Sequence, residues 1–238
     1  TDIAKATLLR ALRTLEDKGF VARRLADGAY LPSSDSEAAR PVPGPHHRLV
    51  EIVTPSLQRL SRRIPWPTDV GVRDGSTMLV LDSNRRLTSI SVNRQVLGFR
   101  PHMLWSAMGR AYLAFCADAE REEILGLLRR SSRPENRASR DDRRIAEVLA
   151  ETRVRGYGVR DARHAGVDVA ATRQVSAIAV PALGGGQVVA CLNCVWLTDI
   201  LPETEVVKRY LDALQSAATE IGARAVAARI VGARAGTS

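Results

Sequence analysis

An α+β fold in two unequal parts is what the sequence predicts, and three observations predict it. A helix followed by a tight basic hairpin opens the chain. A stretch rich in Pro and Ser interrupts it at residues 32–45. Beyond that break, strand-like alternation brackets a central run of helices, the pattern of an antiparallel sheet with helices packed on it. At 238 residues, the chain is long enough for one substantial core and a satellite domain. The implied domains are 1–34, a linker with its helix at 35–64, and 65–230.

In the first part, Leu8, Leu12 and Leu15 recur at spacings of four and three, which predicts a helix over 7–18 with one apolar stripe. Thr7, Arg10, Arg13, Thr14 and Asp17 occupy the other side. Gly19 stops the helix, residues 20–24 read as a strand, and Asp27-Gly28 turns the chain into 29–31. A helix whose polar face offers Arg donors to guanine or phosphate, with arginines on a hairpin reaching adjacent phosphates, suits a DNA major groove. The same periodicity suits a solvated amphipathic helix beside a hairpin, and both readings stand on the pattern alone.

Charge leans towards a polyanionic partner. The formal net charge is +9. The first 65 residues hold eleven Lys/Arg against seven Asp/Glu, so nearly half of the excess sits in about a quarter of the chain. No apolar run is long enough for a membrane span and no secretory leader opens the sequence, which points to the cytoplasm. Three cysteines make no disulfide framework and fit a reducing compartment.

After the Pro-rich connector, Leu49, Val53, Leu57, Leu60 and Ile64 form a helical stripe over 46–64, with Pro55 able to kink it. This stripe either covers its own domain or pairs with the same helix of a second subunit. His46 and His47 are adjacent, without the spacing that lets two helical histidines share a metal. In the second part, strands are expected at 68–72, 77–82, 88–93, 176–183 and 187–196. Helices are expected at 105–116, 119–130, 141–155 and from 202 to about 229, with Gly156 ending the third of them.

Residues 1–21 resemble the recognition-helix segment of IclR-family regulators, which reads T-G-L-x-[KR]-S-T-x-x-R-L-L-x-T-L and then G-[YF]-[VL]. The match rests on Lys5, Thr7, Arg10, Leu12, Thr14, Leu15, Gly19 and Phe20. It departs at Asp2, where Gly is usual, and at Ala6, where the usual Ser would cap the helix at a cost of about 1 kcal/mol when absent. The resemblance implies a winged helix-turn-helix that is incomplete in this chain, so that a protein starting at Thr1 is expected to bind DNA poorly. Its implied DNA contacts are Lys5, Thr7, Arg10, Arg13, Thr14, Arg23 and Arg24.

Residues 50–225 look like the IclR effector-binding domain, whose fold is related to GAF sensors. The resemblance rests on Gly98, on Ser106 to Phe115, on Arg155-Gly156-Tyr157-Gly158 and on Ile178-Ala179-Val180-Pro181. Within the family, residues 66–70 and 190–193 look closest to regulators of hydroxyphenylpropionate and other aromatic-acid catabolism. His102 stands where Pro is common. The implied partners are double-stranded DNA, a small organic acid and further copies of the chain, as a dimer or dimer of dimers; no cofactor or metal is implied.

A helix opening near Ser106 offers N–H groups to a ligand carboxylate, which nominates Ser106, Ala107, Met108 and Gly109. Asn193 lies in an apolar run and shares a strand face with Cys191 and Val195; its amide either meets a ligand or bonds to nearby backbone. With the family likeness, the expected pocket is Trp66, Asp69, Met108, Cys191 and Asn193, joined by Ala177 and Asp168. The rival functions are an enzyme and a small-molecule sensor or protein-interaction module without DNA binding. Cys191-Leu192-Asn193-Cys194 spells C-x-x-C, but strand residues three apart point to opposite faces. No hydrolase, zinc-protease or phosphate-loop motif is present.

Overall fold

The alternating segments of the second part form a five-stranded antiparallel sheet. The computed structural model describes residues 3–32, 46–88, 96–163 and 175–230. Strands β3 (Thr68–Asp74), β4 (Thr77–Ser83), β5 (Gly158–Val159), β6 (Val175–Gly184) and β7 (Gln187–Leu197) are ordered β4-β3-β7-β6-β5. Alongside β4, the N–H groups of Met78 and Val80 donate to Pro101 O and Phe99 O, which extends pairing past its edge. The strand expected at 88–93 falls almost wholly outside the described residues.

Each face of the sheet is covered by different helices. Helices α2 (His47–Ser61) and α6 (Glu203–Ala227) cover one, with Leu49, Val53, Leu57, Leu60, Leu214 and Ile221 buried among Val70, Ile178, Leu192 and Trp196. The linker stripe therefore covers its own domain. Burying each such side chain stabilises by about 1.5–3 kcal/mol, and Pro55 is accommodated inside the helix. Helices α3 (Ala107–Phe115), α4 (Asp118–Arg130) and α5 (Asp142–Arg155) lie on the other side, where Met108, Ala111, Ile124 and Leu149 share a core with Ala177, Ala179, Cys191 and Val195. A 3₁₀ helix at Pro134–Arg140 and the short β5 have no counterpart in the periodicity; both are too brief to leave one.

The first part consists of α1 (Lys5–Asp17) and a hairpin of β1 (Val21–Arg23) and β2 (Tyr30–Pro32), in which Ala22 opposes Leu31. The helix starts two residues before the expected Thr7. Ala4 is its N-cap and carries no capping side chain, so Ala6 lies inside the first turn rather than at the cap. Alanine is the best helix former and lets the turn extend backwards, with Thr7 N–H donating to Ala4 O at 2.9 Å. No α1 residue is buried: Leu8 is 43% exposed and Leu15 40%. Replacing Leu15 by Ala is therefore expected to change the stability of this chain by less than about 0.5 kcal/mol in chemical denaturation, as at other surface positions.

Candidate functional site

At one end of the α3 face, polar side chains are buried beside an apolar core. Asp69 on β3 and Asn193 on β7 are direct partners across the ladder, and the Asp69 N–H donates to Asn193 Oδ1 at 2.8 Å. Arg85, just beyond β4, donates through Nε and Nη2 to the two Asp69 oxygens, each at 2.8 Å, while the Ser83 hydroxyl donates at 2.6 Å. Asp69 is 2% exposed and Arg85 7%. Burial opposes ionisation of Asp69, but the Arg85 charge and these hydrogen bonds outweigh it and hold the carboxyl below its usual range. The result is a dry, bidentate ion pair whose desolvation cost makes it a poor device for stability alone.

The apolar side chains of this face lie close by. Met108 from α3 packs beneath β3, where a Cβ placed on Gly71 would sit 2.8 Å from its sulfur. Cys191 and Ala177 belong to the same core. The structure thus brings Asp69, Met108, Ala177, Cys191 and Asn193 to one side of the sheet. Trp66 requires a correction: its side chain lies in the α2/α6 core, on the opposite side, because it continues the alternation of Thr68, Val70 and Val72. The opening of α3 differs too. Ser106 Oγ accepts from Gly109 N–H at 2.9 Å and caps its own helix. Ala107 packs against β5, and Gly109 against Met103, where any Cβ would lie 2.3 Å from the Met103 carbonyl oxygen. Asp168 lies outside the described residues.

Sequence reading missed Ser83 and Arg85 because Asn84-Arg85-Arg86 carries the composition of a surface turn. It also missed Asp82, which joins the two parts of the chain. Asp82 is fully buried and accepts from Ala26 N–H at 2.9 Å in the hairpin, from Ser83 N–H at 2.8 Å and from the Thr54 hydroxyl of α2 at 2.9 Å. Arg86 adds a bond from Nη1 to Asp27 O at 2.5 Å. A continuous path of hydrogen bonds and adjacent residues thus runs from Asn193 through Asp69, Ser83 and Asp82 to the hairpin.

In the first part, Lys5, Thr7, Arg10 and Arg13 are exposed. The Thr14 hydroxyl donates to Arg10 O at 3.0 Å, which leaves it an acceptor for any partner. Arg24 is paired with Asp27 at 2.5 Å, and Arg23 lies over the Tyr30 ring at 5.6 Å with Nε directed to Gly28 O. The hairpin's positive charge is thus partly neutralised within itself. As strand geometry requires, Cys191 and Cys194 fall in different cores, and burial raises both thiols, Cys194 to about 12. A redox or chelating pair is therefore excluded for these two sulfurs. Among the described residues no group of His, Cys, Asp and Glu is placed to hold a metal, and no helix is long and apolar enough to cross a membrane.

Residues 45–223 match the family model described as the bacterial transcriptional regulator IclR C-terminal domain, which covers most of the chain. The class that fold and match define is a transcriptional regulator. The chain belongs to the IclR family. Among solved structures, IclR from Thermotoga maritima aligns with a TM-score of 0.59 at 22% identity, over 94% of this chain and 87% of that one. An IclR-family regulator from Brucella abortus aligns with a TM-score of 0.57 at 21% identity, over 92% and 79% respectively. The inducer-binding domain of a PobR double mutant from Acinetobacter, solved with 3-hydroxybenzoic acid, aligns with a TM-score of 0.57 at 19% identity, over 73% of this chain and 97% of that domain. At these identities the structural likeness concerns the fold.

Proposed function

We propose that this chain is a cytoplasmic, DNA-binding transcription regulator, a homodimer or dimer of dimers, whose grip on its operator is set by a small organic acid, an aromatic carboxylic acid of a catabolic pathway being the best fit. The observation that carries the effector half is the Asp69–Arg85 pair, with Ser83 and Asn193, set into an apolar face. Arg85 offers a guanidinium to a carboxylate, Asp69 an acceptor to a ring hydroxyl, and Met108, Ala177 and Cys191 an apolar wall. The PobR domain that shares this fold was solved with a hydroxylated aromatic acid, which supports that class.

For the DNA half, α1 presents Lys5, Thr7, Arg10, Arg13 and Thr14 to solvent on a helix of the size a major groove admits, and the hairpin that follows carries Arg23 and Arg24. With the complete winged helix-turn-helix present, binding to a promoter fragment is expected to fall steeply with salt, and Arg10→Ala with Arg13→Ala to flatten that dependence by about two counterions. Binding of a ligand without any preference among genomic sequences would instead make the chain a sensor or interaction module.

Effector occupancy reaches the hairpin through Asp82. A ligand that binds two states unequally shifts their populations, and this path gives those states a physical difference. Burial pushes the Asp82 carboxyl above its ordinary value of 3.8 despite the donors around it. A raised folded pKa means that the native state holds the proton more tightly than the unfolded chain does. The associated stability is complete below 3.8 and is lost as pH rises through the folded value. Asp82→Asn is accordingly expected to gain on the wild type as pH rises from about 4 to 7 in denaturation midpoints; parallel pH curves for the two proteins would contradict this.

A further inference from the structure

On the far side of α3 from Asp69, a cavity of about 260 Å³ opens between α3, the 3₁₀ helix and α5. Its interior is apolar: Leu104, Leu113, Ile145 and Leu149 are buried there, and half-buried Val148 forms a side wall. Such an interior, just below the usual ligand-site range of about 300–1,000 Å³, suits only a compact apolar body. The mouth is polar and carries three arginines among acidic partners. Arg110 and Arg163 both donate to Asp161, Arg110 at 2.6 Å and Arg163 at 3.0 and 3.1 Å, and Asp161 is 7% exposed. Arg163's hydrogen bond, ahead of every other influence, holds Asp161 well below the usual carboxylate range, so this acid stays ionised and is shared by two guanidiniums.

Arg144 stands at the same mouth with its side chain 54% exposed, 3.5 Å from Glu147. Asp141, the remaining acid of the lining, accepts from the Arg144 N–H at 2.9 Å and caps α5. Three arginines thus meet Asp161, Asp141 and, beside Arg144, Glu147, so the formal charges balance, but Arg144 and Arg163 keep largely exposed guanidiniums at the edge of an apolar interior. Arginine pairs bidentately with carboxylates and more strongly than with neutral acceptors.

We propose that this cavity is a second small-molecule site, distinct from the one on the sheet, and that it takes a small amphipathic monocarboxylate, its apolar end seated against Leu113, Ile145 and Leu149 and its carboxylate held by Arg144 and Arg163. Because α3 presents Met108 to the sheet and Arg110 and Leu113 to this cavity, one rigid helix forms a wall of both sites. A ligand here is positioned to bias α3 without touching Asp69.

The test uses benzoate as probe and Trp105 as reporter. Trp105 lines the cavity and is partly exposed, whereas Trp66 and Trp196 are buried in the core across the sheet. Benzoate is expected to change the tryptophan emission saturably, an effect absent in Trp105→Phe and absent with benzyl alcohol at the same concentrations. Arg144→Glu is expected to weaken this response at least tenfold, and Val148→Trp, which fills the cavity without altering its charge, to abolish the binding seen by calorimetry at this site. Arg85→Gln, on the other side of α3, is expected to leave the response within twofold of wild type. A response unchanged by both Arg144→Glu and Val148→Trp, or no saturable response in the folded wild type, would overturn the assignment. A response lost in Arg85→Gln would assign benzoate to the sheet site instead.

Discussion

Replacing Asp69 by alanine is expected to destabilise the domain by about 3–5 kcal/mol, because it removes the carboxylate that Arg85 grips through two hydrogen bonds in a buried site. Arg85 would remain, 7% exposed, with both of its bonds to the carboxylate lost. Urea denaturation of the two proteins checks the magnitude. The double variant Asp69→Leu with Arg85→Met removes both charges and keeps the volume, and should recover most of that loss, since a buried pair replaced by apolar residues is often neutral. If the double variant folds with near-native stability but no longer binds the acids that the wild type binds, the pair serves recognition rather than folding. The carboxyl's folded value lies below its ordinary 3.8, so the pair's contribution is present above that pH and is lost as pH falls through the folded value. Acid titration of the wild type and the double variant should therefore diverge below about pH 4.

The second large effect concerns Gly109. The free N–H groups expected at a helix opening place it among the effector-binding residues, whereas the structure gives it a packing role. A Cβ there would lie 2.3 Å from Met103 O and 2.5 Å from Met103 Cα, both backbone atoms that cannot swing away. Gly109→Ala should cost about 1–3 kcal/mol, the usual range for forcing a methyl into a filled site, and push α3 off its loop. Thermal denaturation measures the loss. At a temperature where the variant remains folded, its ligand affinity should fall only to the extent that α3 moves. An affinity loss of a hundredfold without any loss of stability would return Gly109 to the binding site.

How far the sequence foretold these features depended on the range of the interactions involved. The sheet and its covering helices were legible because the short apolar runs at β6 and β7 and the Leu49–Leu60 stripe of α2 are local patterns. The separation of Cys191 from Cys194 followed from the same strand geometry. Trp66 was placed in the pocket on the family likeness, although it lies three residues from Asp69 and therefore shares the opposite face with Thr68, Val70 and Val72. Arg85 and Asp82 were illegible for another reason. Their partners lie 16 and 56 residues away, and no local pattern distinguishes a turn arginine that folds back onto a buried aspartate from one that faces water. The start of α1 shifted by two residues because cap position is decided by small local propensities.

The proposed effector site holds an organic acid on the α3 face of the sheet at Asp69 and Arg85. Isothermal titration of the folded chain with 3-hydroxybenzoate and related aromatic acids, in wild type, Arg85→Gln and Ala177→Leu, tests it most directly. At least one such acid is expected to bind, apart from any heat contributed by the Arg144 cavity, with an affinity that falls tenfold or more in Arg85→Gln and again in Ala177→Leu, which narrows the apolar wall without disturbing the ion pair. Affinity that stays the same in both variants would place the effector elsewhere and contradict it.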